Sequence, residues 1–408
     1  MRWVRWVLCA LALFGLNAAA AQPHASEPVP VPILTISGAI EPASADDVVR
    51  GLQQAQQEGA PRVGLRMDTP GGLDSAMRQI VQAILASPVP VASYVAPEGA
   101  RAASAGTYIL YASPIAAMAP ATTLGAATPV AIGMPGMGAA PAASAPASGS
   151  ASAPAEGETM TRKQVNDAAA FIRGLAQRHG RNAEWAERAV REAVTLTATE
   201  ALREKVVDVV AADIPSLLKQ IDGRQLSLSQ GSVTLSTRGL ATVERPPGTR
   251  YRLLSVIANP SVALILMMIG IYGLIFEFMS PGFGVPGTIG AICLLLAMFA
   301  LQMLPVNYAG VALILLGVGL LAVELTMPSF GVLGIGGIVA FIAGAVLMFD
   351  RDVPGMGVPL PLIVGLAVSS ALVVLLGGSM ALRARRAPVV SGREDLARAT
   401  GVVEAIDG

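Results

Sequence analysis

Val63-Gly64-Leu65-Arg66-Met67-Asp68-Thr69-Pro70-Gly71-Gly72-Leu73 passes from an apolar strand pattern through a Pro-Gly-Gly turn into a helical one. Working outward, short apolar runs at 33–36, 89–95 and 115–119 alternate with amphipathic stretches at 44–57 and 73–86. Strand runs separated by helix patterns imply βαβ units, hence an α/β fold with functional groups on loops at strand ends. A second α/β stretch, with helices expected over 162–178 and near 184–193 and a strand at 206–211, reads as part of the same domain. The domain as a whole is expected over 30–235. Between its two parts lies 129–157, almost wholly Ala, Pro, Ser, Gly and Met, with no charge before Glu156. Such a segment has too few large apolar side chains to offset its ordering entropy, so a disordered insert is expected, either an inert spacer or a lid.

The remainder of the chain is of another kind. A length of 408 residues exceeds one typical domain, and 53% hydrophobic with 14% charged residues is wrong for a soluble enzyme throughout. Lys plus Arg equals Asp plus Glu at 28 each, so charge gives no reason to invoke nucleic acid or an acidic partner. Arg2 and Arg5, a short apolar run and Ala18-Ala19-Ala20-Ala21 read as a cleavable export signal over 1–21, with an uncleaved anchor as the alternative. Cys9 would leave with that signal and Cys293 lies in an apolar segment, so no disulfide framework is expected. Two histidines, one of them His24 near the processed terminus, do not furnish an ordinary zinc site, and no cofactor is expected.

After a linker at 236–252, five apolar stretches between 253 and 382 each approach the length that crosses a bilayer of about 30 Å. With the first domain exported, five crossings of the cell inner membrane return the chain to the cytoplasm. Arg383, Arg385 and Arg386 there agree with that orientation; Arg245, Arg250 and Arg252 on the outer side weigh against it. Glu277, Pro281, Phe283, Gly284, Val285 and Gly287 recur 47 positions later as Glu324, Pro328, Phe330, Gly331, Val332 and Gly334, so two helical hairpins in the same orientation are expected. The paired glutamates are either hydrated helix ends or groups with a transport or relay role.

The chemistry points to Gly99-Ala100-Arg101-Ala102-Ala103-Ser104-Ala105-Gly106-Thr107-Tyr108-Ile109. Small residues on both sides let backbone approach a serine closely and let a helix begin there with the hydroxyl exposed. A serine hydroxyl needs a base, and His24 and His179 are poorly placed to serve. Lysine serves if its amine is neutral, which takes desolvation or a positive field of roughly 3 to 5 kcal/mol. Of the three lysines, Lys205 and Lys219 look solvated, whereas Lys163 opens the helix after the insert. The amides of Gly71 and Gly72, joined by that of Ala105, are expected to face a developing negative charge as an oxyanion hole. A Pro-Gly-Gly turn that merely ends a strand is the structural alternative.

At these residues the chain resembles the NfeD family of membrane-bound serine proteases, of the ClpP class. The likeness rests on the Asp-Thr-Pro-Gly-Gly turn, the Ser104 segment, 118–126, the Lys163 helix ending Gln177-Arg178-His179-Gly180-Arg181-Asn182, and the spans. It implies a ClpP/crotonase-like spiral of ββα units followed by an all-α transmembrane bundle, with Ser104 as nucleophile and Lys163 as general base. It also implies a serine endopeptidase that cleaves hydrophobic segments of a stomatin-type (SPFH) membrane protein and assembles as a homo-oligomer, a dimer or larger. Long family members end in an OB-like barrel, of which 383–408 resembles only the start. The competing readings are a non-catalytic membrane scaffold for a stomatin-like partner and, more weakly, a crotonase-type acyl-CoA enzyme.

Overall fold

The computed structural model describes residues 29–129, 156–228, 231–279, 284–326, 331–349 and 357–386. The expected export signal, all but the edges of the 129–157 insert, and the tail beyond 386 lie outside these residues.

Residues Val31–Ser37 form β1 and Pro42–Gln57 form α1; Val63–Asp68 form β2 and Asp74–Ala86 form α2. Next come β3 (Val91–Val95), β4 (Arg101–Ala103), α3 (Ala105–Ala112), β5 (Ile115–Met118), β6 (Thr123–Gly125) and α4 (Glu156–Arg178). The domain continues with α5 (Ala183–Arg191), β7 (Thr195–Thr197), α6 (Ala198–Arg203), β8 (Val209–Val210), α7 (Ile214–Ile221), the β9–β10 hairpin (Gln225–Leu228, Gly231–Thr234) and β11 (Thr242–Glu244). The main sheet has the order β11-β1-β2-β3-β5-β8 and all its pairs are parallel. A small sheet, β4-β6-β7, lies beside it.

The chain alternates between the two. In β3-β4-α3 and again in β5-β6-α4, one strand enters the main sheet, the next enters the small sheet, and a helix returns. Single bridges extend the same pattern to β1 and β2, whose continuations pair Ile40 with Gly72 and Thr69 with Ala102. This repeated ββα step is the ClpP/crotonase-like spiral that the family resemblance implies. Strand alternation divides the core: Val91 and Val95 pack on one face of the main sheet with α2, α3 and α4, and Ala92 and Tyr94 pack on the other with α7.

Two expectations change. Helix α4 starts at Glu156 rather than 162, so Lys163 sits two turns inside it. The stretch 236–252 is not a bare linker: β11 extends the main sheet, with Arg66 in a two-point ion pair to Glu244 at 2.9 Å. Beyond it, α8 (Thr249–Ile257) packs on α1, where Arg250 pairs with Asp46 at 3.1 Å and Arg245 with Glu58. Two of the three arginines that precede the apolar helices, Arg245 and Arg250, thus carry their countercharges with them.

Five apolar helices follow: α9 (Pro260–Met279), α10 (Val285–Met303), α11 (Tyr308–Thr326), α12 (Val332–Met348) and α13 (Leu360–Arg386). Among the described residues two stretches, Pro260–Phe278 and Val285–Met303, are long and apolar enough to cross a membrane, and three shorter apolar ones follow. The internal repeat is structural. Glu277 accepts from the amides of Gly284 (3.1 Å) and Gly287 (3.3 Å), and Glu324 accepts from Gly331 (3.1 Å) and Gly334 (3.2 Å). Each carboxylate thereby caps the start of the next helix, where N–H groups lack partners and the dipole favours negative charge. A Cβ on Gly290 would fall 2.9 Å from the Gly270 carbonyl, and one on Gly337 2.8 Å from that of Gly317, again 47 positions apart. Glu277→Ala and Glu324→Ala should each lower stability in detergent by about 1–3 kcal/mol, with Gln less damaging because it keeps one acceptor. Thermal unfolding of the purified variants checks this, and unchanged midpoints would contradict the capping role.

Candidate active site

Ser104 is the N-cap of α3 and has φ 51° and ψ −117°, a backbone conformation that costs a non-glycine residue on the order of 1–3 kcal/mol. The surroundings hold it there. Its amide donates to the Gly125 carbonyl at 2.9 Å, and the preceding Ala103 amide donates to the Thr69 carbonyl at 3.1 Å. Three residues on, the buried Thr107 hydroxyl donates to the Ala102 carbonyl at 2.9 Å and accepts from the Gly125 amide at 3.2 Å. The first turn of α3 is therefore fixed to both β4 and β6, and the serine is turned outward at the end of a buried helix.

Gly71 stands against it. A Cβ built on Gly71, whose φ is +118°, would fall 2.7 Å from Ser104 Cβ and 3.2 Å from Oγ, so only glycine leaves the hydroxyl room. The Gly71 amide, expected as an oxyanion donor, donates to Thr69 Oγ1 at 3.1 Å and so is engaged within the turn. Gly72 differs. The Gly71 carbonyl accepts from Ile40 N at 2.8 Å, and a trans peptide points the following N–H the opposite way, so the Gly72 amide faces away from Ile40. The bridge from Thr69 to Ala102 puts the Ser104 strand on that side. A Cβ on Gly72 would meet the Ile40 carbonyl oxygen at 2.2 Å, which explains the second glycine. Ala105, the first residue of α3, contributes an amide from the helix's unpaired first turn.

The position of Lys163 follows from helix register. At their C-terminal ends, His179 Nε2 donates to the Ala112 carbonyl at 3.1 Å, and midway the rings of Tyr108 and Phe171 stack at 6.0 Å. Helices α3 and α4 therefore run side by side in the same direction. One turn back from Tyr108 is Ser104; two turns back from Phe171 is Lys163. The lysine lies at the serine's end, about one turn farther out, with its side chain exposed and no hydrogen bond to Ser104. The other lysines are elsewhere. The Lys205 carbonyl accepts from Asn182, beside Tyr111 in the last turn of α3, and Lys219 is on α7 across the main sheet. His179 is no base for Ser104 either: burial, aided by nearby Arg181, pulls it down to about 4, and it sits at the wrong end of α3.

Residues 261–378 match the NfeD integral membrane domain, and residues 30–229 match the NfeD1b N-terminal domain. Membrane-bound protease PH1510 of Pyrococcus horikoshii is 35% identical over 319 residues, covering 78% of this chain and 68% of that protein. The chain belongs to the NfeD family. Membrane protein NfeD1b of Bacillus subtilis is 27% identical over 302 residues, covering 70% of this chain and 60% of that one. A solved structure of the 1510-N membrane-bound stomatin-specific protease, a lysine-to-alanine mutant in complex with a substrate peptide, is 35% identical. It covers 56% of this chain and 96% of its own, with a TM-score of 0.48.

As an NfeD protein the chain is a membrane protein, its apolar helices forming the integral membrane domain. Sequence reading missed two residues that shape its site. Thr107 lies inside the quoted serine segment, but a hydroxyl that bridges the backbones of two strands has no sequence signature. Arg181 also lies in a quoted motif, and its burial is visible only in the fold. Its guanidinium donates to the carbonyls of Tyr111 (3.0 Å) and Ser113 (2.8 Å) and to Asp208 Oδ2 (2.6 Å), closing the far end of α3.

Proposed function

We propose that this chain is a membrane-bound serine endopeptidase that uses a Ser104–Lys163 dyad. The observation that carries the reading is Ser104 itself: a strained, outward-turned serine at a helix start, with the Gly71 backbone bare beside its hydroxyl and the Gly72 and Ala105 amides flanking it. Strain of this kind at a strand-to-helix turn is how a nucleophile is presented.

In the mechanism, Ser104 Oγ attacks the peptide carbonyl carbon while the Lys163 amine takes the hydroxyl proton. The Gly72 and Ala105 amides donate to the oxygen that becomes negative, helped by the positive end of α3. Collapse breaks the C–N bond, Lys163 returns its proton to the leaving amine, and water then releases the acyl group by the reverse sequence. Gly71 supplies clearance. An apolar peptide laid over the cleft excludes water, the condition under which a lysine amine acts as a base. The register of α3 and α4 supports this pairing, since both residues lie at one end of the packed helices.

The substrate class we propose is the hydrophobic segment of a stomatin-type (SPFH) membrane protein, by analogy with the stomatin-specific protease to which the chain is similar. In this arrangement 253–382 spans the membrane five times, 30–235 stands outside the cytoplasm, 383–408 faces it, and the chain assembles as a homo-oligomer. Lys163→Ala should lower kcat on an apolar peptide by at least about 10³-fold with little change in KM, as removal of a dyad base does. Hydrolysis at the wild-type rate would remove Lys163 from the mechanism. A serine-directed phosphonate that never labels Ser104 would favour a scaffold without chemistry.

A further inference from the structure

The three parts of the proposed site sit toward the N-terminal ends of three different helices. Gly72 precedes α2, Ser104 caps α3 and Lys163 is near the start of α4. One side chain, Arg78 of α2, touches two of these helices and reaches the third through one ring. Its Nε donates to Asp74 at 2.9 Å within α2, and its NH2 donates to Asp167 of α4 at 2.6 Å. The guanidinium also lies over the Phe171 ring at 4.6 Å from the centroid. Phe171 in turn stacks on Tyr108, one turn after Ser104, and the Tyr108 hydroxyl donates to the Ala127 carbonyl at 3.0 Å.

Asp167 is four residues after Lys163, so the two side chains share a face of α4. The buried Ala169, Ile172 and Ala176 fix the rotation of the body of α4, and the grip on Asp167 extends that hold toward its first turns. Phe171, one turn later on the same line, is held by the same guanidinium, which makes two successive points on the Lys163 stripe fixed by a single residue. Beyond Asp167 the stripe carries Lys163 and then Thr159; the lysine side chain is exposed and without a hydrogen bond or ion pair among the described residues. The lysine is thus aimed by the clamp one turn below it.

We infer that Arg78 is a positioning residue that holds α4 in the rotation that brings Lys163 to Ser104. The inference rests on the dyad reading above. A planar fork that bridges two carboxylates and stacks on a ring is a task for arginine, which an ammonium group does not match. Displacing a catalytic group by about 1 Å costs on the order of a hundredfold in rate, so loss of the clamp is expected to act on the chemical step and not on binding.

The test uses the full chain in detergent and an apolar peptide. Arg78→Ala should lower kcat by roughly tenfold to a hundredfold with KM within about twofold. Asp167→Ala, which cuts only the link to α4, should reproduce that loss, whereas Asp74→Ala, which cuts only the link within α2, should not. A general stabilising role for Arg78 would make the two carboxylate variants alike, or would show as lowered thermal midpoints without a kcat change. Either result, or an Arg78→Ala enzyme with unchanged kcat, overturns the inference. If Lys163→Ala is itself without effect, the dyad has failed; if Lys163→Ala is inactive while Arg78→Ala is normal, only the positioning role has.

Discussion

Ser104→Ala should abolish cleavage of an apolar peptide, a loss of at least about 10³-fold, while the domain stays folded. The two halves of this expectation have separate causes. Activity goes because Oγ is the attacking atom in the proposed mechanism. Stability stays, within about 0.5 kcal/mol, because that hydroxyl makes no hydrogen bond among the described residues, and alanine meets the same backbone cost at φ 51°. Ser104→Gly separates the terms further: glycine adopts positive φ freely, so this variant should be equally inactive and more stable by about 1 kcal/mol. Peptide cleavage and thermal unfolding, measured together, check both. Retention of more than a few per cent of activity in either variant would exclude this nucleophile. A serine that relaxes with gain in stability when replaced is the expected sign of strain kept for function.

Arg181→Met should be the most destabilising single change in the α/β domain, at about 3–5 kcal/mol. The side chain is 2% exposed and spends its donors on the carbonyls of Tyr111 and Ser113 and on Asp208. Methionine fills much of the same volume but leaves the carbonyls at the end of α3 unpaired and Asp208 without its countercharge. Asp208 retains the Ala116 amide at 2.7 Å, which softens the loss without cancelling it. Against a typical stability of about 5–15 kcal/mol, such a change takes a large part of the total. Because α3 carries Ser104 at its other end, activity should fall in step with the folded fraction. Denaturant unfolding of the variant reads this directly, and a shift below about 1 kcal/mol would show that water replaces the guanidinium.

Much of the main sheet was legible: β3 and β5 are buried throughout and read as continuous apolar runs, and β2 alternates buried Val63, Leu65 and Met67 with less buried residues, as a half-covered strand does. The small sheet was not. β4, β6 and β7 are three residues each, too short for any period to register; the main-sheet strands β3 and β5 deliver the chain to β4 and β6, and β7 joins from α5 by pairing antiparallel with β6. β11 escaped for a different reason. Its residues are exposed, so they show no apolar alternation, and the strand is defined by backbone pairing of Val31 with Thr242 and of Ile33 with Glu244. The membrane repeat was visible as six matching residues, but the role of its glutamates was not, since nothing in a one-dimensional pattern says that a carboxylate reaches amides seven and ten positions ahead.

The sequence by itself determined the α/β class, the apolar helical half, the internal repeat and the identity of a serine ringed by small residues, because each is a matter of local composition and period. Only the tertiary structure decided that Ser104 is held at positive φ, that the Gly71 amide is engaged within its turn while the Gly72 amide points away from Ile40, and that Lys163 shares an end with Ser104. Those facts depend on which groups meet across dozens of residues of chain. Backbone direction and helix register, fixed by packing against distant partners, set them.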